Sequence, residues 1–492
     1  MTLRINLFVF LIGNCFSTAF SLVPFSVSNL TYYEVIKFYQ NPIGNLSKSG
    51  QVVMTDENVL RVYLNVYNQS FELIGNRFQH LPKIIVHKFK HFKQEETSYF
   101  YRGLVNSDED SFFRGYIFNN SFLGFFAIKN NVYHIQEKNH SNNKEVVVYR
   151  DFDLSYEIPN NDLVNQGMAN SKSKPSSRRK RQTNDYNYSQ SFLYPKRNYD
   201  RLQLKRNLTF YLLKKKVENQ KKLNRYKKAS AKARYCNIEF IVDHTYAKLY
   251  DYDTNKITNE LTMLVEGASE TFNNIDFGIA HRIALRVEGI HIYEHNDYKF
   301  ANTSFSMSQI LRLQNLQISN QCASIIIVNR NFVEEVGIAN KGSFDPHSRE
   351  PQVGACAKAT LAGNHLSTYN SALVTVMYKN KMRVRPDITL TLTHEIGHLF
   401  GSDHDEEYRR KGMSCPESRI MDAFFSEHTS TLSWTFSDCS IKNMKNLIKN
   451  RLNVTGCLSE IQGSLENFPS NPYKNPHKTI SFVDKVFGLF FG

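Results

Sequence analysis

Residues 394–405 read HEIGHLFGSDHD, and this stretch decides the fold of the C-terminal half of the chain. His394 and His398 are four apart, so on a helix both imidazoles share one face about one turn, or ~5.4 Å, apart. Gly401 can take the left-handed conformation that ends a helix, and the following turn brings His404 round as a third ligand. Three histidines predict one Zn²⁺ per chain with an open fourth position, which is typical of a catalytic site.

Glu395 follows the first predicted ligand and can face a water at the open position, so it is the candidate general base. A short HExxH pattern alone also occurs on solvated helix faces, but the extended spacing is far more specific. Asp405 is predicted to be structural and to orient the turn after His404. Met421 lies downstream where a methionine turn beneath the histidines is expected, although a Met beside Ile is usually ordinary core.

The N-terminus predicts a secretory signal over residues 1–21, with Arg4 before an apolar run and a small-x-small cleavage site at Ala19–Ser21. No later stretch reaches the ~20 apolar residues of a membrane helix, so we expect no transmembrane helix and a secreted, extracellular glycoprotein. Nine N-x-S/T sequons agree with this route, at Asn29, Asn45, Asn68, Asn119, Asn139, Asn187, Asn207, Asn302 and Asn453.

Six cysteines remain after the predicted signal, and all lie in the C-terminal part of the chain. An even set in an oxidising compartment predicts three disulfides, with fifteen possible pairings from sequence alone. A metal site is the weaker alternative because no C-x-x-C spacing occurs. The six are Cys236, Cys322, Cys356, Cys415, Cys439 and Cys457.

The formal net charge of +15 is concentrated in one window. Residues 196–234 hold fifteen basic and two acidic residues, and the rest of the chain is nearly neutral. Such a run predicts a solvated, protease-sensitive linker, and its confinement to one window argues against a nucleic-acid partner. Weak binding to acidic glycans or to an anionic membrane surface is the lesser alternative.

The pattern along the chain predicts an N-terminal β-rich domain over residues 22–181. Apolar and polar residues alternate over 60–66, and residues 115–126 predict a hairpin. This domain ends in a tetrabasic site, Arg178, Arg179, Lys180 and Arg181. A furin-type proprotein convertase is expected to cleave after Arg181, which makes the domain a removable pro-domain; a plain solvated cluster is the alternative.

Strands and helices alternate over residues 236–460, which predicts an α/β domain with a zinc helix from about 388 to 400 and a closing helix over 438–450. A basic linker, 182–235, precedes this domain, and a C-terminal tail, 461–492, follows it.

The zinc motif, the methionine turn, the six cysteines and the basic site together resemble the ADAM (reprolysin-type) metzincin metalloproteases, closest to the Kuzbanian-like, alpha-secretase-type branch. Residues 336–339, VGIA, resemble the family's substrate-lining edge strand, and residues 438–443, DCSIKN, resemble the start of its last helix. The resemblance implies a sheddase-type zinc metalloendopeptidase, a zymogen that acts on extracellular or cell-surface proteins. It implies substrate binding along Gly337, Ile338 and Ala339, and the disulfides Cys236–Cys322, Cys356–Cys457 and Cys415–Cys439.

Four features depart from the family pattern. Residues 22–235 contain no cysteine, so a thiolate on the zinc cannot give latency, and steric cover is expected instead. Between Arg181 and Cys236 lie 54 residues, more than in the branch, and the nearer match at residues 225–228 lacks the final Arg. Asn340 replaces an aromatic residue after the edge segment, and no disintegrin, cysteine-rich or membrane-spanning module follows Glu460.

Two other functions therefore remain open. One is a catalytically weak binding protein that retains the zinc fold. The other is a truncated form of a membrane-tethered sheddase.

Overall fold

The computed structural model describes residues 33–153, 192–193 and 233–460, apart from short internal stretches. The predicted signal 1–21, the processing site 178–181 and the tail 461–492 lie outside the described residues. The undescribed internal stretches are 40–48, 55–57, 79–81, 88–98, 130, 138–144, 280–281, 294–303, 333–334, 344–351, 363–364, 418, 424–434 and 456.

The N-terminal region is built from β-strands, as predicted, and ends in a 3-10 turn at Asp151–Asp153. Its strands are β1 (Glu34–Tyr39), β2 (Ser49–Met54), β3 (Val59–Val66), β4 (Gln69–Phe78), β5 (Lys83–His87), β6 (Phe100–Val105), β7 (Asp108–Phe118), β8 (Ser121–Ile128), β9 (Asn131–Glu137) and β10 (Val146–Arg150). All of them except β5 close into a barrel in the order β1-β10-β9-β8-β7-β6-β4-β3-β2.

Local sequence explains how the barrel strands form. Along β3, Leu60, Val62, Leu64 and Val66 are fully buried and alternate with more exposed residues, as the period of a strand requires. The predicted hairpin is present as β7 and β8, which pair from Phe112–Ala127 to Phe118–Ser121. Asn119 and Asn120 form its turn with φ of 47° and 61°, a left-handed pair that asparagine tolerates and that two-residue hairpins favour.

The C-terminal region contains one large sheet and six helices among the described residues. Its elements are β11 (Phe192–Leu193), β12 (Ala233–Val242), α1 (His244–Leu249), α2 (Thr254–Asn273), β13 (Arg282–Tyr293), α3 (Met307–Asn315), β14 (Ala323–Val328), β15 (Glu335–Ala339), β16 (Thr360–Ala362), β17 (His365–Ser367), β18 (Ser371–Thr375), β19 (Met377–Tyr378), β20 (Lys381–Met382), α4 (Arg385–Leu399), α5 (Asp405–Arg410), α6 (Asp438–Thr455) and β21 (Ser459–Glu460). The predicted zinc helix is α4, which begins three residues earlier than expected because Pro386 suits the first helical turn.

The large sheet has the order β11-β15-β18-β14-β12-β13-β5, with β21 added beside β12. Its central strands are parallel, whereas β15 is antiparallel to β18. Helices α2 and α4 pack on one face with the main core, and α3 packs on the other face. All six residues of β14 are therefore buried, as expected for a strand covered on both faces. This is the predicted α/β domain.

Three strands cross the boundaries that the sequence predicted. β5 belongs by position to the β-rich region, yet it pairs in parallel with β13, from Gly289–Lys83 to Tyr293–His87. β12 begins at Ala233, three residues before Cys236, and β11 lies inside the predicted linker. The physical reason is shared by β5 and β11: an edge strand presents unpaired backbone groups, and a short extended segment from elsewhere can pair with them.

The barrel also contacts α2 and α4 through charged groups. Arg385, at the start of α4, donates to Glu260 at 2.5 and 3.0 Å, and the Tyr116 hydroxyl of the barrel donates to the same carboxylate at 3.3 Å. Arg114 of β7 pairs with Glu270 at 3.0 Å. Since these groups are largely buried, they fix how the barrel and the α/β domain meet.

Three disulfides hold the C-terminal region, and they are the three that the family resemblance implies. They join Cys236–Cys322, Cys356–Cys457 and Cys415–Cys439, with Cα–Cα separations of 5.2, 5.7 and 6.0 Å. These separations are normal for the bond. Among the described residues, no helix has the length and apolar character needed to cross a membrane.

Candidate metal centre and active site

Three histidines meet at the end of α4. His394 and His398 project from successive turns of the helix, and His404 follows a turn that Gly401 makes with φ +95°. The Nε2 atom of His404 lies 3.2 Å from Nε2 of His394 and 3.1 Å from Nε2 of His398. Two nitrogens bound to one tetrahedral zinc at ~2.0–2.1 Å would be roughly 3.3–3.4 Å apart, so the spacing fits Zn²⁺ closely.

The other ring nitrogens set the orientation of these ligands. Nδ1 of His394 lies 2.6 Å from the carbonyl oxygen of Ile420, and Nδ1 of His398 lies 2.8 Å from that of Ser402. A carbonyl oxygen can only accept, so each Nδ1 carries the proton and each Nε2 lone pair faces the common centre. Two lone pairs that converge beside Nε2 of His404 suit a cation.

Burial keeps the imidazoles neutral, the state in which they bind metal. It lowers the pKa of His398 to about 4 and that of His404 to about 2, and it places the pKa of His394 well below its usual value. For His394 and His404 the neighbouring histidine rings add to the effect. The site therefore offers a neutral three-nitrogen ligand set at physiological pH.

Glu395 lies beside this centre and is fully buried. Neither of its carboxylate oxygens has a hydrogen-bond partner among the described residues. Burial, with a smaller effect of the Glu335 charge, raises the pKa of Glu395 well above its usual range. An unpaired buried carboxyl group is costly for stability, and such groups concentrate at functional sites.

Met421 lies beneath the zinc helix, as predicted for the methionine turn. Its side chain is fully buried, and its sulfur would be 2.6 Å from a Cβ atom placed on Gly397. Gly397 therefore allows the methionine to approach the helix between the two histidines. The Met421 carbonyl accepts from the backbone N–H of Asp405 at 2.9 Å. This hydrogen bond joins the methionine turn to the residue that follows His404.

Asp405 is structural, as the sequence predicted. Its carboxylate accepts from the hydroxyls of Ser437 and Ser440 at 2.5 and 2.7 Å, so it joins the turn after His404 to the start of α6. Burial raises the pKa of Asp405 to about 6. The carboxylate holds the polypeptide around the third ligand and does not face the metal centre.

The predicted substrate edge is β15. Gly337 contacts Glu395, and Ala339 lies in the core on the α4 side of the sheet. The Ile338 side chain points to the opposite face and packs with Met307 and Ile310 of α3. Side chains alternate along a strand, so Ile338 can offer a substrate its backbone but not its side chain.

This edge is covered in the structure by β11. Phe192 pairs with Gly337 and Leu193 pairs with Glu335, in the antiparallel sense. A segment of the predicted linker thus occupies the backbone groups that an extended substrate would use.

Asn340, which replaces an aromatic residue of the branch, is buried and paired. Its amide nitrogen donates to Asn315 Oδ1 at 2.7 Å, and the amide of Asn315 donates back at 3.3 Å. The substitution therefore joins β15 to the end of α3. It leaves the three histidines and Glu395 in place.

Sequence reasoning missed the groups that orient the ligands. The carbonyl oxygens of Ile420 and Ser402 carry no signal in the sequence, because any residue supplies one. It also missed the contact of Gly337 with Glu395 and the cover by β11. In the sequence, the one sign of the contact between Gly337 and Glu395 was a glycine two residues before an alanine in an apolar strand.

A family model and several known metalloproteinases are similar to this chain. Residues 232–440 match a family model described as Reprolysin_5, metallo-peptidase family M12. The chain is similar to the human disintegrin and metalloproteinase domain-containing protein 10, at 22% identity over 430 residues that cover 82% of this chain and 54% of that protein. The mouse protein of the same name is 22% identical over 73% of this chain and 47% of its own length.

A snake venom metalloproteinase, trimerelysin-2 of Protobothrops flavoviridis, is 24% identical over 42% of this chain and 88% of its own length. Among solved structures, metalloproteinase-II from Bacteroides fragilis is matched over 81% of this chain and 91% of that one, at 10% identity and a TM-score of 0.31. The chain spans about half the length of the disintegrin and metalloproteinase proteins it matches. The family model over residues 232–440 and these relatives support a reprolysin-type M12 metallopeptidase domain of an ADAM/reprolysin metzincin, and the relatives are consistent with the Kuzbanian-like branch.

Proposed function

We propose that this chain is a zinc-dependent metalloendopeptidase that hydrolyses peptide bonds of extracellular or cell-surface proteins, in the manner of a sheddase. The observation that carries the proposal is the convergence of three neutral histidine nitrogens beside a buried, unpaired carboxyl group at a sheet edge. A binding protein has no need of Glu395, whose burial without a partner costs stability.

When bound, Zn²⁺ polarises the scissile carbonyl and lowers the pKa of water. His394, His398 and His404 would hold it through Nε2. Glu395 accepts the proton of the attacking water at its carboxylate and returns it to the leaving amine. Burial raises the pKa of Glu395 from its usual value, which is the direction that favours a group that must hold a proton before it passes it on. The backbone of β15 holds the substrate as an added antiparallel strand.

The proposal includes a zymogen stage. A proprotein convertase would cleave after Arg181, which separates the barrel from the catalytic chain. The pairing of β11 with β15 supports latency by steric cover, in keeping with the absence of cysteine from residues 22–235. Because β11 follows Arg181, its release would require a further cut in the basic window 196–234. The basic window 196–234 would contact acidic glycans or an anionic membrane surface only weakly.

The first prediction tests the general base. Glu395→Gln keeps the size of the side chain but cannot accept the proton, so we expect peptide hydrolysis to fall by about 10²–10⁴-fold while zinc stays near one per chain. The measurement is turnover of a protein substrate and a peptide library by convertase-processed protein, with zinc determined by mass spectrometry.

Glu417→Gln is the matched control, because Glu417 is an exposed carboxylate of the same domain. It should leave turnover unchanged. Comparable activity in the Glu395→Gln variant and the wild type would rule out the mechanism.

A further inference from the structure

We infer that Gly337 is a positioning residue, whose missing side chain leaves the space that the Glu395 carboxyl group needs. This inference rests on the proposed function, since it concerns where the general base sits. A Cβ atom on Gly337 would lie 2.4 Å from Glu395 Oε1 and 2.9 Å from both Cδ and Cγ. The three nearest atoms all belong to Glu395, and two non-bonded carbon atoms are best placed at ~3.5–4.0 Å.

The backbone of Gly337 does not itself require glycine. Its φ is not in the left-handed region, unlike that of Gly354 at +94°. Alanine can therefore adopt the conformation of β15 at this position without strain. Its methyl group, however, would overlap the Glu395 side chain.

At two other glycines near the site, an added Cβ atom would clash with backbone atoms instead of a side chain. A Cβ atom on Gly342 would lie 2.3 Å from the carbonyl oxygen of Leu399, and one on Gly354 would lie 2.2 Å from the Cα atom of Gly342. Backbone atoms cannot move aside without moving the strand or the helix. At Gly337 the obstacle is the Glu395 side chain from Cγ to Oε1, and these atoms can rotate about the side-chain bonds, so an added methyl group would shift Glu395 and leave the fold in place.

A small shift of this carboxyl group is expected to matter. The general base must lie within hydrogen-bond reach of the proton it takes, and a misplacement of ~1 Å can cost on the order of 10²-fold in rate. Glu395 is fully buried and has no hydrogen-bond partner among the described residues that would return it to its position. The position of the carboxyl group therefore depends on the shape of the space around it. Gly337 borders that space on the side of β15.

The test is Gly337→Ala in the full chain, assayed after convertase processing. We expect kcat to fall by roughly 10²-fold, a smaller change in KM, an unchanged zinc content and a melting temperature close to that of the wild type. Gly289→Ala is the matched control, since it is also a glycine in a strand of the same sheet. Its Cβ atom would meet nothing closer than 3.8 Å, so activity should not change.

A double-mutant cycle separates positioning from a general effect on the cleft. Glu395→Asp shortens the carboxylate side chain by one methylene and frees the disputed space. Gly337→Ala should then cost much less in the Glu395→Asp background than in the wild type. An equal loss in both backgrounds would overturn the inference and indicate a clash with substrate, and a loss of zinc or of folding would overturn it as well.

The outcome can be told apart from failure of the proposed function. A wild-type chain with no peptidase activity would reject that function, and a crystal structure of the Gly337→Ala variant would still decide the inference. Displacement of the Glu395 side chain with β15 unmoved supports it, whereas an unmoved Glu395 overturns it.

Discussion

In the large sheet, β13 and β15 are each covered by a short strand from elsewhere in the chain, but to very different extents. β13 pairs with β5 at five consecutive positions, and β5 is connected on both sides to strands of the barrel. β15 pairs with β11 at only two positions, with an irregularity between them. A sheet edge with unpaired backbone groups must be covered to avoid association. The edge beside Glu395, which a substrate would pair with under the proposed function, has the shorter cover.

Cleavage after Arg181 would act differently on the two covers. β5 lies on the N-terminal side of that bond and would be held afterwards only by non-covalent contacts. β11 lies on the C-terminal side and would remain attached to the catalytic chain. The comparison therefore predicts that the β13 cover governs stability and that the β15 cover governs activity.

The largest expected effect follows from removing the β13 cover. A chain in which residues 1–21 are joined directly to 182–492 lacks β5 and the whole barrel. β13 loses its five paired positions, and Arg385 and Glu260 lose the barrel surface that buries them. We expect secreted protein to fall on the order of tenfold or more in cultured cells, because an exposed sheet edge and lost stability mark a chain for degradation.

Co-expression of residues 1–181 as a separate chain is the control for this deletion. It should restore secretion, and the two chains should be purified together. Full yield of the shortened chain by itself would show that the β5 cover is dispensable.

A single buried ion pair should give the next largest effect. Arg385→Ala leaves the largely buried carboxylate of Glu260, which α2 directs towards the barrel, without its main partner, 2.5 Å away in the wild type. Breaking such a pair from one side costs about 3–5 kcal/mol. The measurement is urea unfolding of the unprocessed chain, monitored by far-ultraviolet circular dichroism.

Arg61→Ala is the matched control within the barrel. Arg61 pairs with Glu72 at 3.2 Å, but both side chains are about a third exposed, so the loss should be only ~0–1 kcal/mol. Equal losses for Arg61→Ala and Arg385→Ala would show that the contact between barrel and α/β domain does not hold the fold.

Local patterns explain why much of this architecture was predictable. The alternation over residues 60–66 fixes one face of β3, and Asn119–Asn120 fixes a tight hairpin, because both signals act within a few residues. β5 was not predictable as part of the catalytic sheet. Residues 83–87, KIIVH, show only that a strand is favoured, and the choice between barrel and β13 depends on contacts about 200 residues away in sequence.

The same distinction applies to the site. Histidine spacing on a helix fixes His394, His398 and, through Gly401, His404, so the ligand set followed from the sequence. The pairing of Arg385 with Glu260 and the contact of Gly337 with Glu395 join residues far apart in the chain. No local pattern records them, since an arginine or a glycine at those positions has many ordinary explanations.

The smallest expected effect concerns the short cover on β15, and it is an effect on activity. Phe192→Pro removes a backbone N–H from β11 and disfavours its pairing with Gly337. Two paired positions contribute roughly 0.5–1.5 kcal/mol per hydrogen bond, so the fraction of chains with an open edge should rise by about tenfold. Protein cleaved after Arg181, with Gln182 verified as its N-terminus, should hydrolyse short peptides faster by that factor and unfold at the same urea concentration. Asn198→Pro, in the same predicted linker but outside β11, is the matched control and should change neither property. If wild type and Phe192→Pro have the same activity once their N-termini are shown to be identical, β11 does not compete with substrate, and the two edges do not differ in the way proposed.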